Sequence, residues 1–251
     1  MGRTIARLAH AAGDIELVGA ACASSDPAVG RDVGDLAGVG PLGVVATPDL
    51  AAALLGAEVV VDFSVPAVLS PLLHHAVRQK VAVMCGTTNL DAAAERALDE
   101  AAKSIPVLWA PNTSLGIQVL AEIVQQALRR LGPDYDAEIV ELHHRRKVDA
   151  PSGTARRLCD AIRDVRQDHH VIHGREGEVG ARPTDEIAVF GVRGGDVVGD
   201  HTVYLLGPGE RLELTHRATS RELFAHGALR AARFVCQAPP GRYRMVDVLG
   251  A

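Results

Sequence analysis

The chain has 251 residues, with 26 Lys and Arg against 31 Asp and Glu and a formal net charge of −5, a balance that excludes a general nucleic-acid binder. It is long enough for one large domain or two small ones with a buried core, and with 47% apolar but only 3% aromatic residues that core is built from Ala, Val, Leu and Ile. No apolar run approaches the roughly 20 residues of a membrane-spanning helix, and Met1–Arg7 lacks the apolar stretch of a signal peptide.

In chain order, residues 3–12 read as a short helix and Glu16 to Cys22 as a strand. The Gly- and Asp-rich segment Asp26 to Gly43 reads as loop with one short helical turn. Val59 to Phe63 is an apolar strand, and Pro66 opens a helix to about Gln79. Val81 to Cys85 is the next strand, Asp91 caps an Ala-rich helix, and Val107 to Ala110 is a further strand. Alternating short apolar strands and helices imply a doubly wound parallel sheet. After Asn112 the pattern changes. Leu115, Val119, Ile123, Leu128 and Leu131 suggest an apolar helical stripe, and longer alternating strands follow around 137–143, 186–193, 201–207 and 211–217 with one intervening helix. We expect a second α+β domain with an open mixed or antiparallel sheet over residues 114–220. Residues 1–113 and 221–251 form the first, Rossmann-like domain, to which the amphipathic segment Arg221 to Gln237 returns.

Cys22, Cys85, Cys159 and Cys236 are scattered with no C-x-x-C pair, so they read as reduced, mostly buried cysteines of a cytoplasmic protein. His169-His170-Val-Ile-His173 has metal-like spacing but no Cys or carboxylate cluster beside it, and we expect no metal. His74-His75 and Arg129-Arg130 read as helix surface.

The chemistry concentrates in Glu141-Leu-His-His-Arg-Arg-Lys-Val-Asp-Ala-Pro-Ser-Gly-Thr154-Ala. The segment is a strand end, a basic loop and a helix start. Pro151 suits a first helical turn, and either Asp149 or Ser152 could cap it. Backbone N–H groups near Gly153 and Thr154 offer partial positive charge to an anion. Histidine and lysine beside such a site suit general acid–base work on a carboxylate substrate. The bland reading is a solvated basic loop with Ser-Gly-Thr as a simple cap. Strand alternation points His143 and His144 to opposite faces, so they need not share a role.

This run resembles the E-x-H-H-x-x-K-x-D-x-P-S-G-T-A signature of the 4-hydroxy-tetrahydrodipicolinate reductase family, nicotinamide-dependent enzymes of lysine and diaminopimelate synthesis. Gly86-Thr87-Thr88, Ala110-Pro111-Asn112-Thr113 and the segment Arg193 to His201 match the family as well. The resemblance implies that His143 is an acid/base residue and Lys147 the proton donor. It implies that His144, Ser152, Gly153 and Thr154 hold a small dicarboxylate lying between the domains. Gly2, Arg3, Gly86, Thr87, Thr88, Ala110, Pro111, Asn112 and Thr113 would hold NADPH or NADH. Here Asn89 replaces a usual glycine and Thr113 a common Phe. Ala23 stands about where an acid would grip the ribose of NAD, so a 2′-phosphate is permitted and NADPH is slightly favoured. A homotetramer through the second domain's sheet is also implied.

Met1-Gly2-Arg3-Thr4 resembles the tail of the family's glycine-rich segment, with the first strand and leading glycines expected upstream. The expectation is therefore a start about a dozen residues earlier, and weak folding and cofactor binding for the chain as given. Two alternatives stay open: another two-domain amino-acid or semialdehyde dehydrogenase, which would not need the His-His-Arg-Arg-Lys loop, and an inactive truncated relic.

Overall fold

The computed structural model describes residues 1–250, in two compact units: Met1–Thr113 with the segment from Glu222 onward, and Ser114–Arg221. The elements run α1 (Gly2–Ala12), β1 (Ala20–Ala21), α2 (Val33–Ala37), β2 (Ala46–Thr47), α3 (Leu50–Ala53), β3 (Val59–Asp62), α4 (Pro66–Gln79), β4 (Ala82–Cys85), α5 (Ala92–Ala102) and β5 (Pro106–Trp109). The second unit supplies α6 (Leu115–Leu131), β6 (Asp136–His143), α7 (Gly153–Arg163), β7 (His170–Ile172), β8 (Glu186–Arg193), β9 (Gly199–Gly207) and β10 (Glu210–Ala218). The chain then returns with α8 (Glu222–Gln237), β11 (Gly241–Tyr243) and α9 (Met245–Leu249).

Among the described residues the first unit holds a parallel sheet in the order β11-β5-β4-β3 and a separate parallel ladder, β1-β2. Every residue of β4 is buried, as expected of a strand covered on both faces. Leu69, Leu72 and Leu73 of α4, Leu98 of α5 and Val83 and Val107 of the sheet form one core cluster. Short polar residues set the helix starts: Asp49, Asp91 and Asp32 each accept backbone N–H groups of the following turn, filling donors the helix cannot satisfy itself. Asp32 also accepts from Leu42 and Gly43, which closes the loop after α2.

The second unit is a mixed sheet, β10-β9-β6-β8-β7, with β6, β7 and β8 parallel and β9 antiparallel to both its neighbours, β6 and β10. Its inner face carries Ile139, Ile187, Val189, Val203 and Leu205, packed with Ile117, Val124 and Leu128 of α6 and Leu158 and Ile162 of α7. The alternation implied a Rossmann-like parallel unit and a mixed-sheet α+β unit, and both are present.

Several local expectations are corrected. The strand expected over Glu16–Cys22 shrinks to Ala20–Ala21, because only these residues find a ladder partner, Ala46–Thr47, among the described residues. The buried face of α6 is Ile117, Leu120, Ala121, Val124 and Leu128, whereas Val119 and Ile123 are exposed; of the expected stripe, Leu128 is in the core and Leu131 packs against it. Cys85 and Cys159 are buried, Cys22 is half-buried and Cys236 exposed, and each is a free thiol. Pro151 stands just ahead of α7, whose N-cap is Ser152, not inside its first turn. His170 faces Asp185 and Glu186 at 3.6 Å each.

Thr113 fastens the end of the β5 segment to α8: its hydroxyl donates to the Phe224 carbonyl at 2.7 Å. A Cβ on Gly227 would stand 1.8 Å from the Thr113 carbonyl oxygen. Gly227→Ala therefore overpacks this seam and should cost about 1–3 kcal/mol, read as a lowered chemical-denaturation midpoint. Gly174→Ala, whose Cβ meets nothing within 4 Å, should change stability by less than about 0.5 kcal/mol.

Candidate active site

Strand alternation and register build the site. In β6 the odd-numbered residues face the inner side of the sheet, so Glu141 and His143 follow Ala137 and Ile139 inward. Pairing on either side sets their neighbours: Glu141 lies opposite Gly191 of β8 and His201 of β9, and His143 lies opposite Arg193. His216 of β10 is in turn opposite His201. The loop from β8 to β9 wraps the end of β6, with Gly194 N–H donating to the His143 carbonyl and His144 N–H to that of Val197.

Glu141 is fully buried, at 0% exposure. Its Oε1 accepts from Arg193 Nη2 at 2.7 Å and from the Ser152 backbone N–H at 3.2 Å. Its Oε2 accepts from Arg193 Nη1 at 3.0 Å and makes a short contact with His143 Nδ1. Burial opposes ionisation, but Arg193, His143 and the Ser152 amide together hold the carboxyl below its ordinary range. Two glycines leave space for this group. A Cβ on Gly191 would come within 3.1 Å of Glu141 Oε1, and one on Gly199 within 2.9 Å of His143 Nε2.

The start of α7 is tied to the same cluster. Ser152 Oγ accepts from Ala155 N–H as the helix cap and lies 3.0 Å from His201 Nε2. The His201 ring meets that of His143 edge-on, with centroids 5.1 Å apart. Burial, aided by the neighbouring charges of His143, His216 and Lys147, pushes His201 down to about 3. His143 is also lowered, by burial first, with Lys147 and Arg193 adding to it and Glu141 opposing.

Among the other sequence-derived candidates, Lys147 Nζ donates to Asp149 Oδ1 at 2.7 Å, which holds the Asp149 carboxyl below its usual range. His144 has left the strand, with a buried Nδ1 that has no partner among the described residues. Ser152 is buried, Gly153 exposed and Thr154 half-buried, so the first turn of α7 is open at Gly153, where a Cβ would meet nothing within 4 Å. His143, Lys147, Ser152, Gly153 and Thr154 thus belong to one strand–loop–helix segment of the second unit.

The remaining candidates lie in the first unit. Gly86, Thr87 and Thr88 follow β4, and Ala110 to Thr113 follow its neighbour β5, with Cys85 paired to Trp109. Both segments therefore leave the same carboxyl edge of the parallel sheet, where nucleotides bind in such folds. Thr87 and Thr113 direct their hydroxyls to protein partners, Asp62 Oδ2 at 2.8 Å and the Phe224 carbonyl. Trp109 Nε1 donates to the Thr87 carbonyl at 2.9 Å. Gly86 has no room for a side chain because the Phe63 ring would lie 2.5 Å from a Cβ. Thr88 and Pro111 are exposed. Gly2 and Arg3 open α1, whose first turn has no side-chain cap and no acidic residue, a helix start suited to a phosphate. The carboxyl edge of the sheet and the start of α1 could hold a dinucleotide, with the buried Thr87 and Thr113 hydroxyls spent on protein partners.

Ligand atoms of Glu141, His143 and His201 lie within 4.8 Å of one another. They suit an ion pair better than a metal: the carboxylate is forked by Arg193 and His201 Nε2 is beside Ser152 Oγ, so a cation would sit against a guanidinium. Sequence reading gave no role to Glu141, Arg193 or His201. The signal for Glu141 was its spacing two residues before His143 on a strand, which places both on one face.

Family models of dihydrodipicolinate reductase match both parts of the chain, the N-terminal model over residues 1–113 and the C-terminal model over residues 116–249. A 4-hydroxy-tetrahydrodipicolinate reductase of Anaeromyxobacter dehalogenans is 46% identical over 254 aligned positions, covering 100% of this chain and 94% of the relative. That of Myxococcus xanthus is 44% identical with the same coverage. Among solved structures, a dipicolinate-bound dihydrodipicolinate reductase from a Paenisporosarcina species is similar in fold, with a TM-score of 0.74 at 22% identity over 97% of this chain and 94% of that one.

The buried histidines set an acid limit on stability. His201 stays neutral in the folded chain down to about 3, against an ordinary 6.5. Only the unfolded chain takes up its proton between those values. Its contribution is therefore complete above pH ~6.5 and is lost as pH falls toward ~3, at up to about 1.4 kcal/mol per pH unit. Denaturant midpoints followed across this window should fall with acid, and His201→Gln should flatten that slope by about one proton. An equal slope in the variant would contradict the assignment.

Proposed function

The chain belongs to the dihydrodipicolinate reductase family, and on that premise we propose that its strand–loop–helix site reduces 4-hydroxy-tetrahydrodipicolinate to tetrahydrodipicolinate with NADPH or NADH. In the balanced reaction one substrate, one reduced cofactor and one proton give tetrahydrodipicolinate, the oxidised cofactor and water. The bound nicotinamide supplies the hydride.

The observation that carries this reading is the full-length family match together with a basic loop joined to an open helix start. Lys147 donates the proton that balances hydride addition, and Asp149 keeps its ammonium at the loop. His143 serves as the acid/base group on the inner face of β6. Gly153 and Thr154, in the first turn of α7, offer backbone and hydroxyl donors to a substrate carboxylate, with His144 adding a ring N–H donor. Ser152 contributes by capping that turn. In the first unit, Gly2, Arg3, Gly86, Thr87, Thr88 and Ala110 to Thr113 hold the cofactor, with Thr87 and Thr113 shaping the edge through their bonds to Asp62 and Phe224. The alternative of another two-domain amino-acid or semialdehyde dehydrogenase is disfavoured by the match over both units.

We further infer a homotetramer formed through the outer face of the five-stranded sheet. The inner face is covered by α6 and α7, while Val140, Leu142, Phe190, Val192, Tyr204 and Leu206 of the other face stay partly exposed. The cytoplasm, with its nicotinamide pool, suits an enzyme of amino-acid synthesis whose thiols are unpaired.

The test is oxidation of NADPH or NADH dependent on 4-hydroxy-tetrahydrodipicolinate generated in situ. Lys147→Met should lower kcat by roughly 10²–10⁴-fold while leaving the denaturation midpoint nearly unchanged. Absence of substrate-dependent oxidation with either cofactor, from a chain whose melting temperature rises on adding NADPH, would refute the assigned substrate.

A further inference from the structure

We propose that Glu141 is a positioning residue: held by Arg193, it fixes the His143 ring as the Nδ1–H tautomer and leaves Nε2 as the nitrogen that exchanges a proton with substrate. The proposal rests on the acid/base role assigned above to His143. An ionised carboxylate has no proton to give, so at the short Glu141–His143 contact the imidazole Nδ1 is the donor. The carboxylate itself has little freedom to turn. Both oxygens accept from the Arg193 fork, and Oε1 also accepts from the Ser152 amide.

The opposite edge of the ring faces Gly199, where any Cβ would stand 2.9 Å from Nε2. The side chain that orients the ring thus lies on its Nδ1 side, and on its Nε2 side Gly199 leaves room for the ring where a side chain would intrude. Orientation of an imidazole by a buried carboxylate on its far nitrogen is a recurrent way to set a working tautomer. The charged and titratable groups facing His143 are Glu141 on its own strand, Arg193 of β8, His201 of β9 and Lys147 of the following loop. Of these, Glu141 alone favours the protonated ring.

Glu141→Gln removes the charge and the obligate acceptor while keeping the volume. The wild-type neutral ring should show a pyrrole-type Nδ1 and a pyridine-type Nε2 in 15N NMR of the His143 side chain, assigned by its loss in His143→Gln. In Glu141→Gln the neutral ring should gain the Nε2–H form, and the pH of half-protonation should move down. The variant's kcat should fall by roughly 10²–10⁴-fold with KM changed much less, and the inflection of kcat against pH attributed to His143 should shift to lower pH. An Nε2–H tautomer in the wild-type protein would overturn the proposal with no variant needed. So would an unchanged tautomer and pH profile in a folded Glu141→Gln. An inactive wild type with the Nδ1–H tautomer would instead sink the assigned reaction and leave the positioning geometry standing.

Discussion

The candidate site of the second unit is organised around a buried ion pair, Glu141 with Arg193. A carboxylate with no exposed surface is tolerated only when its charge is matched and its lone pairs are filled. Glu141 meets both conditions by drawing together three segments: the fork of Arg193 from the end of β8, the ring of His143 two residues along β6, and the Ser152 amide at the start of α7. Such a pair contributes little net stability over an apolar replacement, but it is costly to break by halves. That asymmetry turns a polar cluster into a positional constraint. The loop that carries Lys147 runs between two of the anchored segments, so its ends are fixed even though Arg145, Arg146 and Val148 are exposed.

The glycines of the sheet complete the constraint. Gly191 and Gly199 stand beside Glu141 and His143 at positions where a side chain would intrude. They make room on the same face that elsewhere carries Ile139, Val189 and Val203. The sheet thus changes along its length from an apolar support for α6 and α7 to a polar end row. His201 and Ser152 mark the transition, with a histidine kept neutral by burial beside the hydroxyl that caps α7. In the first unit, Asp62 performs a comparable local task, accepting from Ser64 N–H and Thr87 Oγ1 to shape the carboxyl edge of the parallel sheet.

How much of this was legible in the sequence follows from the range of the interactions. The strands β6, β8, β9 and β10 run eight or nine residues each, long enough for alternation to reveal them, and Ser152 is the one of the two candidate caps, Asp149 and Ser152, that starts α7. Short elements such as β2, α3, β7 and β11 exist because a partner strand or a cap is present, and two to four residues carry no period of their own. The expected stripe of α6 is right at Leu128 and Leu131, which pack into the core, and wrong at Val119 and Ile123, which are apolar yet exposed. His143 and Lys147 lie in one dense motif and were found there. Glu141 lies in the same motif, but its role is set by Arg193, 52 residues away, and strand order is not written in either segment alone.

The most direct measurement of the central constraint is a double-mutant cycle of Glu141→Leu and Arg193→Leu on the unfolding free energy at neutral pH. Arg193→Leu alone strands a buried carboxylate and should cost roughly 3–5 kcal/mol, while the double variant should cost far less than the two single losses together. Losses that add to within about 0.5 kcal/mol would show that the two side chains act independently and would contradict the account.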